Sequence, residues 1–170
     1  TAKMKYYVVA DVHGFCSILK DTLKEKGFFN DEEPHKLIVC GDLFDRGGEA
    51  VELQNFILEL LEKDEVILVK GNHEELLVDM LNSWHRASYL ESHHNSNGTV
   101  DTVLQLTGTR LADLYDNPSG IYYKMKETPF MQKILPAMVD YFETENHIFV
   151  HGWIPCESIR QNPYAVTYFA

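Results

Sequence analysis

Leu37-Ile38-Val39-Cys40-Gly41-Asp42-Leu43-Phe44-Asp45-Arg46-Gly47 is the stretch that decides how the chain folds. Residues 37–40 are apolar without a break, the pattern of a strand covered on both faces. Gly41 and Asp42 end that run at once, and acidic and basic side chains follow. Three further apolar runs have the same form. Residues 6–10 lead into Asp11-Val12-His13-Gly14, residues 66–69 into Lys70-Gly71-Asn72-His73-Glu74, and residues 148–150 into His151-Gly152. A helix is predicted over 15–26, closed by Gly27. A second is predicted over 48–63, where Leu53, Phe56, Ile57, Leu60 and Leu61 recur at three and four residues. Strand, helix, strand, helix, strand at these lengths implies right-handed crossovers and a parallel sheet, hence an α/β fold. In such sheets sites form at the carboxyl ends of the strands, so the polar residues after the four runs are expected to converge at one rim.

Composition sets the outer bounds. The chain has 170 residues, 15 Lys+Arg against 26 Asp+Glu, and a formal net charge of −11. A chain this long buries roughly 70% of its unfolded surface, so a core forms without staples. The 45% hydrophobic content excludes global disorder. The acidic balance excludes a general nucleic-acid binder, but a phosphate-bearing substrate remains open because bound cations reverse the local sign of charge. Cys16, Cys40 and Cys156 are odd in number and lack CxxC spacing, which fits reduced thiols in a cytoplasmic protein. No apolar run approaches a membrane span and the start is not a signal peptide, so no membrane partner is expected; Met4 is expected to be the native start.

The rest of the chain reads as helices and loops. Helices are predicted over 74–83, 99–106, 111–115 and 130–143, the last with Pro136 inside it, where a proline kinks a helix or marks its boundary. Residues 93–98 are a polar loop. One domain over 1–170 is expected, with about 83–145 a helical insertion within it.

The residues at the strand ends have a common chemistry. Carboxylate oxygen, imidazole nitrogen and amide oxygen together suit manganese, iron or zinc. Two such ions about 3.5–4 Å apart clamp the attacking and leaving oxygens of an in-line displacement. One carboxylate has to bridge them, and Asp42 is central among the segments. Arg46 offers a planar fork of donors to phosphate oxygens. His73 can protonate a leaving alkoxide, with Asp45 orienting its ring.

Asp-x-His, Gly-Asp-x-x-Asp-Arg-Gly and Gly-Asn-His-Glu, in this order and spacing, resemble the calcineurin-like metallophosphoesterases, and within them the phosphoprotein phosphatase branch of bacterial and phage-type Ser/Thr phosphatases. The resemblance spans residues 4–155. It implies an α/β/β/α sandwich with the helical insertion. It implies that Asp11 and His13 hold a first metal, that Asp42 bridges, and that Asn72 and His151 hold a second, with manganese ahead of iron or zinc. It implies that Arg46 holds the phosphate, that His73 and Asp45 form the catalytic pair, and that a metal-bridging hydroxide attacks phosphorus directly, without a phosphoenzyme. The expected substrate is a phosphorylated protein or small phosphate ester. Two other functions stay open: a symmetrical dinucleoside polyphosphate hydrolase, and a non-catalytic binding module with a degenerate site. One departure stands out. The family pattern carries a further Gly-His segment, whereas no His follows His151, so the chain is expected to be truncated at Ala170. Arg160 is not assigned the role of the branch's second phosphate-binding Arg.

Several residues take a plainer reading. His35 and His147 are expected at strand starts. His93 and His94 lie in the polar loop without a third ligand nearby. Trp84, Cys16 and Cys40 are expected to pack, whereas Trp153, directly after the fourth motif, is a candidate groove residue. Asn97-Gly98-Thr99 matches a glycosylation sequon but lacks a secretory signal. The run Asp31-Glu32-Glu33 reads as a solvated loop.

Overall fold

The computed structural model describes residues 3–85 and 93–152. Trp153, Cys156, Arg160 and the chain end lie outside the described residues, as does the stretch 86–92. The predicted parallel sheet is present. Strands β1 (Lys5–Val9), β2 (His35–Cys40) and β3 (Val66–Val69) pair in parallel in the order β1-β2-β3, with Val9 opposite Val39 and Cys40 opposite Val69. Leu37, Ile38 and Val39 of the central strand are fully buried. Residues 6–10 are less covered than an unbroken apolar run predicts. Among the described residues β1 is the edge of this sheet, and Val8 is 49% exposed.

Helices α1 (Cys16–Glu25) and α2 (Ala50–Glu62) form the first two crossovers. Leu53, Phe56, Ile57 and Leu60 on α2 are buried as their spacing predicts. Gln54 is buried on the same helix because its Oε1 accepts the Phe130 N–H at 2.9 Å, which ties α2 to a distant segment. Helix α3 (Asn72–Asn82) follows β3.

The middle of the chain is helical: α4 (His93–Ser96), α5 (Thr99–Thr107), α6 (Leu111–Asp116) and α7 (Pro118–Lys126). Two of these differ from the sequence reading. The polar loop contains the single turn α4, and α7 is a further helix beside those the sequence predicts. Helix α7 starts where Asn117 accepts the Gly120 N–H at 3.0 Å and Pro118 takes the first turn, positions at which these residues favour a helix start. Trp84 packs in the core, its indole N–H donating to the Pro118 carbonyl at 2.8 Å.

The helix predicted over 130–143 is not formed as one element. A π-helical turn, Phe130–Ile134, runs into the short α8 (Leu135–Ala137), and Met138 is already extended. Pro136 has no N–H to donate and its ring crowds the preceding turn, and the helix ends one residue beyond it, at Ala137. Val139 then bonds the β3 edge, its N–H to the Leu68 carbonyl at 2.9 Å and its carbonyl from Lys70 N–H at 2.8 Å. The fourth apolar run also departs from a simple extension of the parallel sheet. β5 (Ile148–Phe149) pairs antiparallel with β4 (Phe142–Glu143), and Phe142 meets Tyr6 of β1 edge-on at 5.8 Å. His35 opens β2 and His147 directly precedes β5, as expected. No helix among the described residues is long and apolar enough to cross a membrane.

The acidic run is not simply solvated. Asp31 accepts from Lys5 Nζ at 2.7 Å and from the Tyr7 hydroxyl at 2.5 Å. These bonds, that of Lys5 first, hold its carboxyl well below the usual carboxylate range.

Candidate active site

The site grows out of a backbone zipper between the segments that leave β1 and β2. Asp11 N–H donates to the Gly41 carbonyl at 3.2 Å, His13 N–H to Asp42 at 3.0 Å and Gly14 N–H to Leu43 at 2.7 Å. Gly47 N–H returns to the His13 carbonyl at 2.7 Å. The backbones approach so closely that a Cβ on Gly47 would lie 2.5 Å from that carbonyl oxygen, so only glycine fits. The zipper forces unusual backbone angles. Five of the six non-glycine residues with left-handed φ among the described residues belong to the predicted site: Asp11 (52°), His13 (49°), Asp42 (59°), Asp45 (73°) and Arg46 (76°). Such conformations cost of order 1–3 kcal/mol each and persist only where surrounding bonds impose them.

Two donor groups result. Ligand atoms of Asp11, Asp42 and His151 lie within 4.8 Å of one another, and so do those of His13, Asp42 and His73. Asp42 belongs to both. Its Oδ2 stands 3.3 Å from His151 Nε2 and 3.8 Å from His13 Nε2, while its Oδ1 accepts the His73 backbone N–H at 3.0 Å, at the amino end of α3. Asp11 is exposed and approaches His151 at 3.7 Å, so the structure sets it beside the fourth motif, whereas the resemblance pairs it with His13.

The ring orientations fit a cation. His13 Nδ1 donates to the Phe44 carbonyl and His151 Nδ1 to the Cys40 carbonyl, each at 2.9 Å. A neutral ring held this way turns its Nε2 lone pair toward the site. The Asn72 side-chain oxygen lies 2.8 Å from His151 Nε2. With His151 Nδ1 as the donor to Cys40, its Nε2 lone pair and the Asn72 oxygen converge beside the Asp11 and Asp42 carboxylates, a set of donor atoms that a cation would satisfy. Nitrogen and oxygen donors of this kind suit a borderline or hard divalent ion, so Asp11, His13, Asp42, Asn72 and His151 fit such an ion.

Next to these donors, His73 Nδ1 donates to Asp45 Oδ2 at 2.7 Å, and both residues are buried. The His13 and His73 rings meet edge-on at 4.8 Å. Arg46 is exposed, and among the described residues its guanidinium makes no ion pair or hydrogen bond. Cys16 and Cys40 are buried, and burial pushes both thiols up, away from the reactive thiolate. His94 is buried and lies 3.1 Å from Asp79, on α3.

Two features carry weight here that the sequence reading passed over. Glu74 stands in the third motif, where the sequence assigns it no role. Its buried carboxylate accepts the N–H groups of Asp42 (3.0 Å), Leu43 (2.8 Å) and Gly71 (2.7 Å), pinning the β2 and β3 ends together. Desolvation raises its carboxyl despite those three bonds. Its position on the first turn of α3, directly after His73, was the available signal. The Thr99 and Thr102 hydroxyls both donate to Asp45, at 2.9 and 2.6 Å, from more than fifty residues away. No local pattern announces them.

The close approach at Gly71 yields a test of this geometry. A Cβ there would lie 2.2 Å from Asp42 Oδ1 and 2.6 Å from Asp42 N, whereas one on Gly48 would meet nothing within 4 Å. Gly71→Ala is expected to destabilise the metal-free protein by about 1–3 kcal/mol, as overpacking does, with Gly48→Ala within about 0.5 kcal/mol of wild type. Urea denaturation measures both, and equal effects would refute the packing.

The family model for calcineurin-like phosphoesterases matches residues 4–168. A symmetrical bis(5'-nucleosyl)-tetraphosphatase of Buchnera aphidicola is 37% identical over 75 residues, 44% of this chain and 26% of the relative. Serine/threonine-protein phosphatase 1 of Salmonella typhimurium is 37% identical over 73 residues, 43% of this chain and 31% of the relative. The matched stretch thus spans under a third of either curated relative. A cold-active protein tyrosine phosphatase superposes with a TM-score of 0.57 at 21% identity, over 95% of this chain and 46% of that one, which is a likeness of fold. A family model that takes in nearly the whole chain, together with the strand-end motifs, places this protein in the calcineurin-like phosphoesterase family.

Proposed function

We propose that the protein is a dinuclear metal-dependent phosphatase that hydrolyses phosphate monoesters. The observation that carries this reading is Asp42, shared by two donor groups and set beside the His73–Asp45 pair. Asp11, His13, Asp42, Asn72 and His151 would hold divalent ions, manganese first among them, which would supply charge neutralisation and water activation for a direct in-line hydrolysis. The chain's own residues do the rest. Arg46 presents its fork to two phosphate oxygens and orients the ester. His73, its Nδ1–H held by Asp45, delivers a proton from Nε2 to the departing oxygen. Asp45 and Arg46 are consecutive in one loop, and both have left-handed φ.

Relatives named for two activities match equally well, so dinucleoside tetraphosphate is the second substrate to consider. Manganese-stimulated hydrolysis of p-nitrophenyl phosphate is the expected result for the phosphatase. Parallel rates on a phosphoserine peptide and on diadenosine tetraphosphate separate the two substrates. No manganese-dependent hydrolysis of any of the three, read as phosphate from the two monoesters and as nucleotide products from the tetraphosphate, would overturn the enzymatic reading and leave the binding module.

A further inference from the structure

We propose that the hydroxyls of Thr99 and Thr102 on α5 are positioning residues for the proton-donating pair, setting the Asp45 carboxylate plane so that His73 is aimed at the leaving oxygen. The proposal deepens the phosphoesterase reading and rests on it for its kinetic arm.

A carboxylate offers about four lone-pair positions. At Asp45 three are taken: Oδ2 accepts from His73 Nδ1 (2.7 Å) and Thr99 Oγ1 (2.9 Å), and Oδ1 accepts from Thr102 Oγ1 (2.6 Å). Thr102 Oγ1 also accepts the Asp45 backbone N–H at 3.1 Å, so one hydroxyl holds both the backbone and the side chain of Asp45. That closed ring restrains a residue whose φ of 73° is otherwise disfavoured. The four residues are almost fully enclosed: Thr99 is 0%, Thr102 1%, Asp45 3% and His73 6% exposed. Water therefore does not compete for the carboxylate, and its direction follows from these donors.

The rest of α5 acts on the same loop. Gln105, three residues beyond Thr102, donates to the Gly47 carbonyl at 3.0 Å and accepts the Ala50 N–H at 2.9 Å. Gly98, just before the helix, packs so closely that a Cβ there would lie 2.8 Å from Arg46 N. One helix thus grips the loop that carries both the phosphate-binding Arg46 and Asp45. A structural tie alone would need one hydroxyl; two hydroxyls on opposite oxygens of one carboxylate define its plane.

The test uses Thr102→Val, Thr99→Val and Thr102→Ser. Phenolate leaves poorly and needs the proton, whereas nitrophenolate is a stable anion and does not. Thr102→Val is expected to lower kcat/KM on phenyl phosphate at least ~10-fold more than on p-nitrophenyl phosphate, with Thr102→Ser restoring the ratio. In the metal-free protein, proton NMR is expected to resolve the His73 Nδ1–H far downfield in wild type and Thr102→Ser, and broadened by exchange in Thr102→Val. Thr99→Val, which removes one bond and leaves the backbone tie, gives the same signature if Thr102→Val does not fold. Equal losses on both esters with an unchanged His73 resonance would overturn the proposal. A wild-type protein inactive on both esters would instead count against the phosphate-monoester reading, and the NMR comparison would still decide the positioning role.

Discussion

Asp42→Asn is expected to lower phosphoester hydrolysis by far more than ~100-fold, since losing even an outer partner of a metal ligand costs 10–100-fold. Asparagine preserves shape. Its oxygen can still accept the His73 N–H, so the start of α3 keeps its bond. What it loses is the charge, and an NH2 group replaces the Oδ2 that lies between His13 Nε2 and His151 Nε2. The fold should not suffer. Asp42 repels the buried Glu74 carboxylate, so removing its charge relieves an unfavourable contact. The expected result is therefore a protein as stable as wild type without metal, deficient in manganese uptake by calorimetry, and inactive. Activity within a few-fold of wild type would refute Asp42 as the shared ligand.

His73→Gln is expected to cost ~10²–10⁴-fold on esters with basic leaving groups, the usual worth of a positioned general acid. The loss on p-nitrophenyl phosphate is expected to be much smaller. The contrast matters because the structure offers His73 two roles. It holds Asp45 through Nδ1, and it stands among the metal-donor atoms with His13 and Asp42. A ligand lost from a metal site would depress every substrate alike and weaken metal uptake. A proton donor lost would spare the good leaving group and leave metal uptake near wild type. Parallel loss on a phosphoserine peptide and p-nitrophenyl phosphate would assign His73 to the metal.

Much of this was legible without coordinates. Three strands announced themselves by unbroken apolar runs, α2 by a clean three-and-four periodicity, and the end of α1 by Gly27. The strand-end motifs were readable because Gly, Asp, Asn and His abruptly replace the apolar run. The helix expected over 130–143 failed because Val139 found a sheet edge to bond, an outcome helix periodicity does not encode. Asp31 was misread for a similar reason: its partners, Lys5 and Tyr7, lie on another element.

The amino-acid order by itself determined which segments are strands and helices in the first half, and which side chains stand at the ends of those strands. Both follow from interactions within a few residues, where burial and backbone preference repeat with a fixed period. Only the tertiary structure decided how those side chains face one another. His151 reaches the site by donating to the Cys40 carbonyl, 111 residues earlier. Asp45 is gripped by hydroxyls 54 and 57 residues later. Contacts at such separations arise because buried polar groups must find partners wherever packing brings them, and that requirement leaves no period in the sequence.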